Sequence, residues 1–453
     1  MTAIARLAEF VVKTSLDDCP AAALSLVRRA ALDTIGVMLA GASEPAARLV
    51  RQAIRAEGGL PLCTVFGTRM RTAPTWAALA NGVAGHAHDF DDTNFALMGH
   101  PSVPLFAAAL AAAETQPADG RAVALGYLIG FEIDGTIGSA LNPDHYTRGW
   151  HATSSIGTLG CAAAAARIFG LDVAETRHAL AVAASLASGL KENFGSMTKP
   201  YHAGHAARNG VWAALLAREG FTASPSALDG TQGFTAAFGG RGTLDEALDR
   251  LGRVWHAETS RIAVKPYPSC AMTHPAIDAL VELRDRERLR PEQIADVEVA
   301  VNPVTPDVLR HHRPTTGLER KFSMQYCAAA ALADGRVDLD SFADEEPAEP
   351  LRGLMARVRM VVADDLPHDL EQNAWSRVTV RLVDGRTLAL PPRGAQGHPD
   401  TPLTDVRLRD KFLACAALAM TRDEAEGVAE QLAHLEDIPD IRVLTSRLAG
   451  ATH

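Results

Sequence analysis

RVTVRLVDGRTLAL, residues 377–390, is the stretch on which the fold turns. Two alternating apolar runs flank Asp384-Gly385, a pair that adopts tight hairpin turns readily, so the segment predicts a β-hairpin. ARVRMVV at 356–362 and ADVEVAV at 295–301 alternate in the same way and predict two further strands. Helical spacing is expected at 274–286 and 322–333. Together these segments predict a smaller α/β domain over 268–397. The Pro/Gly-rich PPRGAQGHPDTP at 391–402 reads as a connector. Helical spacing resumes near Asp405, so residues 398–453 are expected as helices returning to the first domain.

Upstream of Lys265 the pattern is helical. Helices are expected over about 2–15, 21–40, 44–57, 73–87, 102–115, 122–142, 151–168, 173–190 and 202–219. Alanine and leucine favour this state, and Gly41, Gly58, Gly170 and Gly220 are natural stops. The fold class expected is therefore mainly α with a second α/β domain: a large all-helical domain, residues 1–267, joined to the smaller α/β one. A chain of 453 residues exceeds what one core usually supports, in agreement with two domains.

Hydrophobic residues make up 47% and charged residues 22%, ordinary values for a soluble protein. A net charge of −10 argues against general nucleic-acid binding but permits an acidic substrate in a local cationic pocket. MTAIARLAEFVVKTS at the N-terminus reads as an amphipathic helix, not a signal peptide, and apolar runs such as 105–113 are too short to span a bilayer. A cytoplasmic location and no membrane partner are the expectation. The six cysteines form no CxxC pair, which removes support for an iron–sulfur cluster or structural zinc. There is no Gly-rich GK[ST] loop for nucleotides and no GxSxG elbow.

HAHDFDDTNFALMGH, residues 86–100, packs three histidines and three aspartates into fifteen residues. Adjacent aspartates favour a cap or turn over a helix interior. The residue types leave three readings open: acid–base catalysis by histidine tuned by a carboxylate, metal ligation by His86, His88 and Asp89, or a solvated helix end. HYTRGWH at 145–151 sets His151 just before a helix and offers Arg148 as a carboxylate ligand or ordinary ion-pair partner. In SMTKPYHAGHAARNG, 196–210, Lys199 is a candidate for a substrate carboxylate, and His202 and His205 are three apart on one helical side. In VKPYPSCAMTHP, 264–275, Lys265 is a candidate anion-binding or general-base residue, and Cys270 and His274 are four apart.

NGVAGHAHDFDDT with GHPS, GWHAT, TKPYHAGHAARNG, VKPYPSC and FSMQY, in this order, resemble the MmgE/PrpD family over almost the whole chain. That family includes 2-methylcitrate dehydratases, cis-aconitate decarboxylase and iminodisuccinate epimerase. The resemblance implies a large helical domain with an α/β lid, an active site between them, a homodimer, and neither metal nor organic cofactor. It places active-site positions at Asp89, Thr93, His100, His151, Lys199, Lys265 and Tyr326. Decarboxylase-like members carry histidine where Cys270 stands here. Roles expected from it are His151 and Lys265 near proton transfer, with Asp89 orienting or tuning a partner. Thr93, His100 and Lys199 position or neutralise substrate, and His86, His88, Asp91 and Asp92 support them. The expected function is a cofactor-independent, 2-methylcitrate-dehydratase-like hydro-lyase acting on a small di- or tricarboxylate. Alternatives are an iminodisuccinate-epimerase-like isomerase, a decarboxylase of a cis-aconitate-like acid, and a non-catalytic polycarboxylate-binding protein.

Overall fold

Short polar residues start the helices, and small residues let them touch. In the computed structural model, which describes residues 1–239, 244–366 and 374–450, Thr2 caps Ala3–Lys13 and Asp119 caps Gly120–Leu141. Asp172 with Glu175 forms a capping box on Val173–Leu186. The chain divides into two compact units. The first comprises Met1–Ala87, Asp91–Ala263 and Thr404–His453, and the second His88–Phe90 with Val264–Leu403. The fold is a mainly helical unit and a smaller mixed α/β unit.

At the centre of the first unit lies Ser102–Ala113, a helix buried on every side. Around it pack Pro74–His86, Gly157–Phe169 and Thr198–Arg218. Two glycines set the closest crossing. A Cβ on Gly204 would sit 2.3 Å from the carbonyl oxygen of Leu79, and one on Gly82 would sit 2.6 Å from the Gly204 Cα. The helices Pro74–His86 and Thr198–Arg218 thus meet backbone to backbone. Gly204→Ala is expected to force them apart at a cost of about 1–3 kcal/mol, read as a lowered Tm. An unchanged Tm would remove this close-packing account.

Two helices that carry site residues differ from the sequence expectation. The one expected over 151–168 is interrupted, as Ala152–Ser155 and then Gly157–Phe169, and His151 stays outside as an extended N-cap residue. The one expected from 202 already starts at Thr198. Pro200 is tolerated there because the first turn of a helix needs no intrahelical N–H. Lys199 is consequently helical.

In the second unit, Ile294–Val301 pairs in parallel with Val358–Val362 and antiparallel with Trp375–Leu382, which turns back into Thr387–Ala389. Along Trp375–Leu382, Ser376, Val378, Val380 and Leu382 are buried while Arg377 and Arg381 face out to Asp365 and Asp296. The hairpin turn uses Gly385 at φ +91°, with the Asp384 carboxylate accepting from the Arg386 amide at 3.0 Å. His274–Glu287 and Met324–Asp334 pack on the sheet, the latter within the crossover between the parallel strands.

Candidate active site

In the first unit the helix crossing brings together side chains from four segments. His86 is the last residue of Pro74–His86, and Lys199 and His202 lie in the first turns of Thr198–Arg218. Asp91 and His100 come from the loop that follows Ala87. A small ring within that loop, closed by paired backbone bonds between Asn94 and Gly99, presents His100. The His100 amide is then fixed by the Thr153 hydroxyl at 2.9 Å. His151 is held by its own amide on the Gly189 carbonyl at 3.0 Å.

The Asp91 carboxylate lies 2.9 Å from His86 Nδ1 and 3.2 Å from His100 Nδ1. Lys199 Nζ lies 2.9 Å from His86 Nε2. One assignment of protons satisfies both contacts of His86: Asp91 ionised, His86 neutral with Nδ1–H donated to it, and the lysine donating to His86 Nε2. His151 Nδ1 lies 3.1 Å from His202 Nδ1. The His151 ring also stands edge-to-face with Phe194, centroids 5.0 Å apart, and Lys199 Nζ lies 5.3 Å from the Phe194 ring centroid.

Burial decides the charge of this cluster. It pushes His86 down to about 4 against the pull of Asp91, with Lys199 and His100 adding to the fall. Burial takes His202 to about 4 and His151 well below its ordinary value, neighbouring Lys199 and histidines acting in the same direction. Burial opposes ionisation of Asp91, but the His86 and His100 imidazoles outweigh it and hold the carboxyl well below its usual range. Behind it, burial and the nearby Asp33 push Asp92 well up, and Asp92 accepts from the Ser102 hydroxyl and amide.

A lowered histidine pKa contributes stability present above the unfolded value near 6.5 and lost as pH falls toward 4. Asp33, Asp92 and Asp134, whose pKa values burial raises, contribute in the opposite sense, so global stability is a poor reporter. Histidine NMR separates them. The His86 and His202 ring signals are expected to stay unchanged through pH 6.5 and to move only near 4. Titration of either at 6–7 would contradict the burial argument.

His86, Asp91 and His100 also offer ligand atoms within 4.8 Å of one another, residue types that first-row cations accept. As they stand, the Asp91 carboxylate is hydrogen-bonded to His86 Nδ1 and lies 3.2 Å from His100 Nδ1.

Of the residues singled out in the sequence, the first unit gathers His100, His151 and Lys199 in this cluster. Thr93 lies in the same loop and pairs its backbone with Ala263. Arg148 is exposed, with its guanidinium against Gly239. Asp89, Lys265, Cys270 and Tyr326 belong to the second unit. There Lys265 Nζ donates to the Asp89 carbonyl at 2.8 Å and lies 3.1 Å from its carboxylate, both residues buried. Asp89 adopts φ +52°, a left-handed conformation that costs energy outside glycine. Lys321 reinforces it by donating to the carbonyls of His88 at 2.8 Å and Pro268 at 3.2 Å. The buried Cys270 donates its amide to the Lys321 carbonyl at 2.9 Å, and the Tyr326 hydroxyl donates to the carbonyl of Ser341.

The sequence reading set His86 and Asp91 aside as supports and gave His202 no role. The signal for His202 was present: it follows Lys199 by three residues, hence on the same side of a helix. Nothing local foretold that Asp91, and not its neighbours, would receive two imidazoles.

The order of these segments agrees with known proteins. Residues 5–247 match the MmgE/PrpD N-terminal domain and residues 267–437 the MmgE/PrpD C-terminal domain. The chain belongs to the MmgE/PrpD family. It is similar to the cis-aconitate decarboxylase of Mus musculus, 32% identical across 93% of this chain and 88% of that one. The Homo sapiens cis-aconitate decarboxylase is 31% identical, across 93% and 89%. A cis-aconitate decarboxylase-like protein of Aspergillus oryzae is 28% identical, across 98% and 97%. This MmgE/PrpD member is an enzyme, and at family level a polycarboxylate-processing one. Among the described residues no helix is long and apolar enough to cross a membrane.

Proposed function

We propose that this enzyme is a cofactor-independent lyase that decarboxylates cis-aconitate or an unsaturated tricarboxylate of the same chemistry. The dehydratase expectation gives way to this reading because its full-length relatives are named decarboxylases. The observation that carries it is the buried cluster in which one lysine faces a set of neutral imidazoles. Such a reaction needs a cation to hold carboxylates and an acid to deliver one proton to carbon, without a strong base to strip one first.

The steps balance as follows. The bond to the departing carboxylate breaks and its electron pair forms a new C=C. The old C=C pair moves to the neighbouring carbon as an enolate-like charge, and that carbon accepts a proton. In this reading Lys199 holds a retained carboxylate, Asp91 keeps His86 and His100 in one tautomer, and His151 supplies the proton from Nε2. Thr93 binds a further carboxylate, and Arg148 acts in recruiting the anion from solvent. The homodimer implied by the family resemblance is part of the proposal and is checked by sedimentation.

The family resemblance favours a second reading, hydro-lyase action of the 2-methylcitrate-dehydratase type, because it implies histidine in decarboxylase-like members where this chain has Cys270. Proton NMR in deuterated water separates the two. Incubation with cis-aconitate is expected to give carbon dioxide and a product carrying one solvent deuteron at carbon. Turnover of 2-methylcitrate to an alkene, with cis-aconitate left intact, would replace decarboxylation by dehydration.

A further inference from the structure

His86, Asp91 and His100 have the composition of a metal site, and a single contact closes it. Around a tetrahedral zinc ion, neighbouring ligand atoms stand about 3.3 Å apart. The Asp91 carboxylate lies 2.9 Å from His86 Nδ1 and 3.2 Å from His100 Nδ1, so two of the three spacings that such an ion needs are nearly present. All three residues are buried and offer ligand atoms within 4.8 Å of one another.

Ligation at His86 Nδ1 requires a lone pair on that nitrogen. A neutral imidazole has one ring proton, and the nitrogen that holds it cannot bind a metal. The Lys199 ammonium has donors only, and it lies 2.9 Å from His86 Nε2, where it takes up the lone pair. The ring proton is thereby kept on Nδ1, facing Asp91, and the lone pair that a metal needs is gone. Moving that proton to Nε2 would set two donors against each other at 2.9 Å. The lysine also places a positive charge one imidazole ring away from where the ion would sit. Tautomer and charge act in the same direction.

We propose that Lys199 excludes divalent cations from His86, Asp91 and His100, which form a latent site for an ion such as zinc. Polycarboxylates chelate divalent cations, so this class of substrate brings such ions with it. A cation seated here would take both His86 Nδ1 and the Asp91 carboxylate, whose hydrogen bond orders the cluster. The proposal is independent of which reaction is catalysed, because it is read from metal binding alone.

Co²⁺ reports such a site by its visible d–d absorption, and Zn²⁺ by displacing the Co²⁺. With one equivalent of Co²⁺, the full-length wild-type protein is expected to show no tetrahedral band. Lys199→Leu, which brings no ligand atom, is expected to show one at a single ion per chain. Its Zn²⁺ affinity should rise roughly 10²–10³-fold over wild type, the scale of removing a unit charge from beside a divalent ion. Lys199→Gln loses the charge but keeps an N–H for His86 Nε2, and its gain should be smaller. Lys199→Arg keeps charge and donors and should bind as poorly as wild type. Adding Asp91→Asn or His100→Ala to Lys199→Leu should abolish the band, which assigns it to this cluster. Wild-type protein that binds Zn²⁺ at these residues as tightly as Lys199→Leu would overturn the proposal. So would a folded Lys199→Leu protein without the band. If that variant does not fold, Lys199→Gln is read by the same two criteria.

Discussion

Asp91→Asn is expected to lower kcat by roughly 10³–10⁴-fold, on the precedent of buried aspartates that hold a catalytic imidazole in one tautomer. The carboxylate accepts from His86 Nδ1 and lies 3.2 Å from His100 Nδ1. An asparagine of the same shape offers one acceptor and one donor, so one of the two imidazoles must present a lone pair at Nδ1 and carry its proton at Nε2. If that ring is His86, its Nε2–H points at the Lys199 ammonium 2.9 Å away, and the lysine is pushed from its place. Steady-state kinetics with the thermal transition monitored in parallel checks this. A variant within tenfold of wild type would show that the tautomers do not depend on Asp91.

Lys199→Met is expected to lower kcat/KM by roughly 10²–10³-fold, the usual loss when one fixed electrostatic stabiliser is removed from a dry site. Burial keeps His86, His151 and His202 neutral, so Lys199 is the cation that faces the ionised Asp91 among these groups. Methionine fills a similar volume but leaves the ionised Asp91 facing an anionic substrate. Both KM and kcat should suffer, since the carboxylates are bound and the developing enolate is stabilised by the same charge. Lys199→Arg keeps the charge and should recover part of kcat/KM, limited by the different shape of its fork. Retention of kcat/KM within fivefold in the methionine variant would remove Lys199 from the proposed scheme.

Much of the architecture was legible along the chain because it depends on short-range pattern. Period-2 alternation gave the strands at 295–301 and 377–382, and Asp384-Gly385 gave their turn. Boundaries were less legible where tertiary contacts intervene. The break after Ser155 and the start at Thr198 follow from packing and from a proline that only a first turn accepts. The segment 86–100 was readable as dense in catalytic residue types, but not how it would be shared out. His86, Asp91 and His100 fall in one unit, while His88 and Asp89 go with the other, beneath Lys321 and Lys265.

The sequence by itself determined the class of this protein: helices and strands are set by local spacing, and the family by motifs in a given order. Only the tertiary structure decided which side chains act together. Hydrogen bonds reach about 3 Å, so a partner must be brought across the chain by packing. Lys199 reaches His86 over 113 residues, and His202 reaches His151 over 51. It is the contact of Gly82 with Gly204, where no side chain intervenes, that brings the helices bearing His86, Lys199 and His202 within that range.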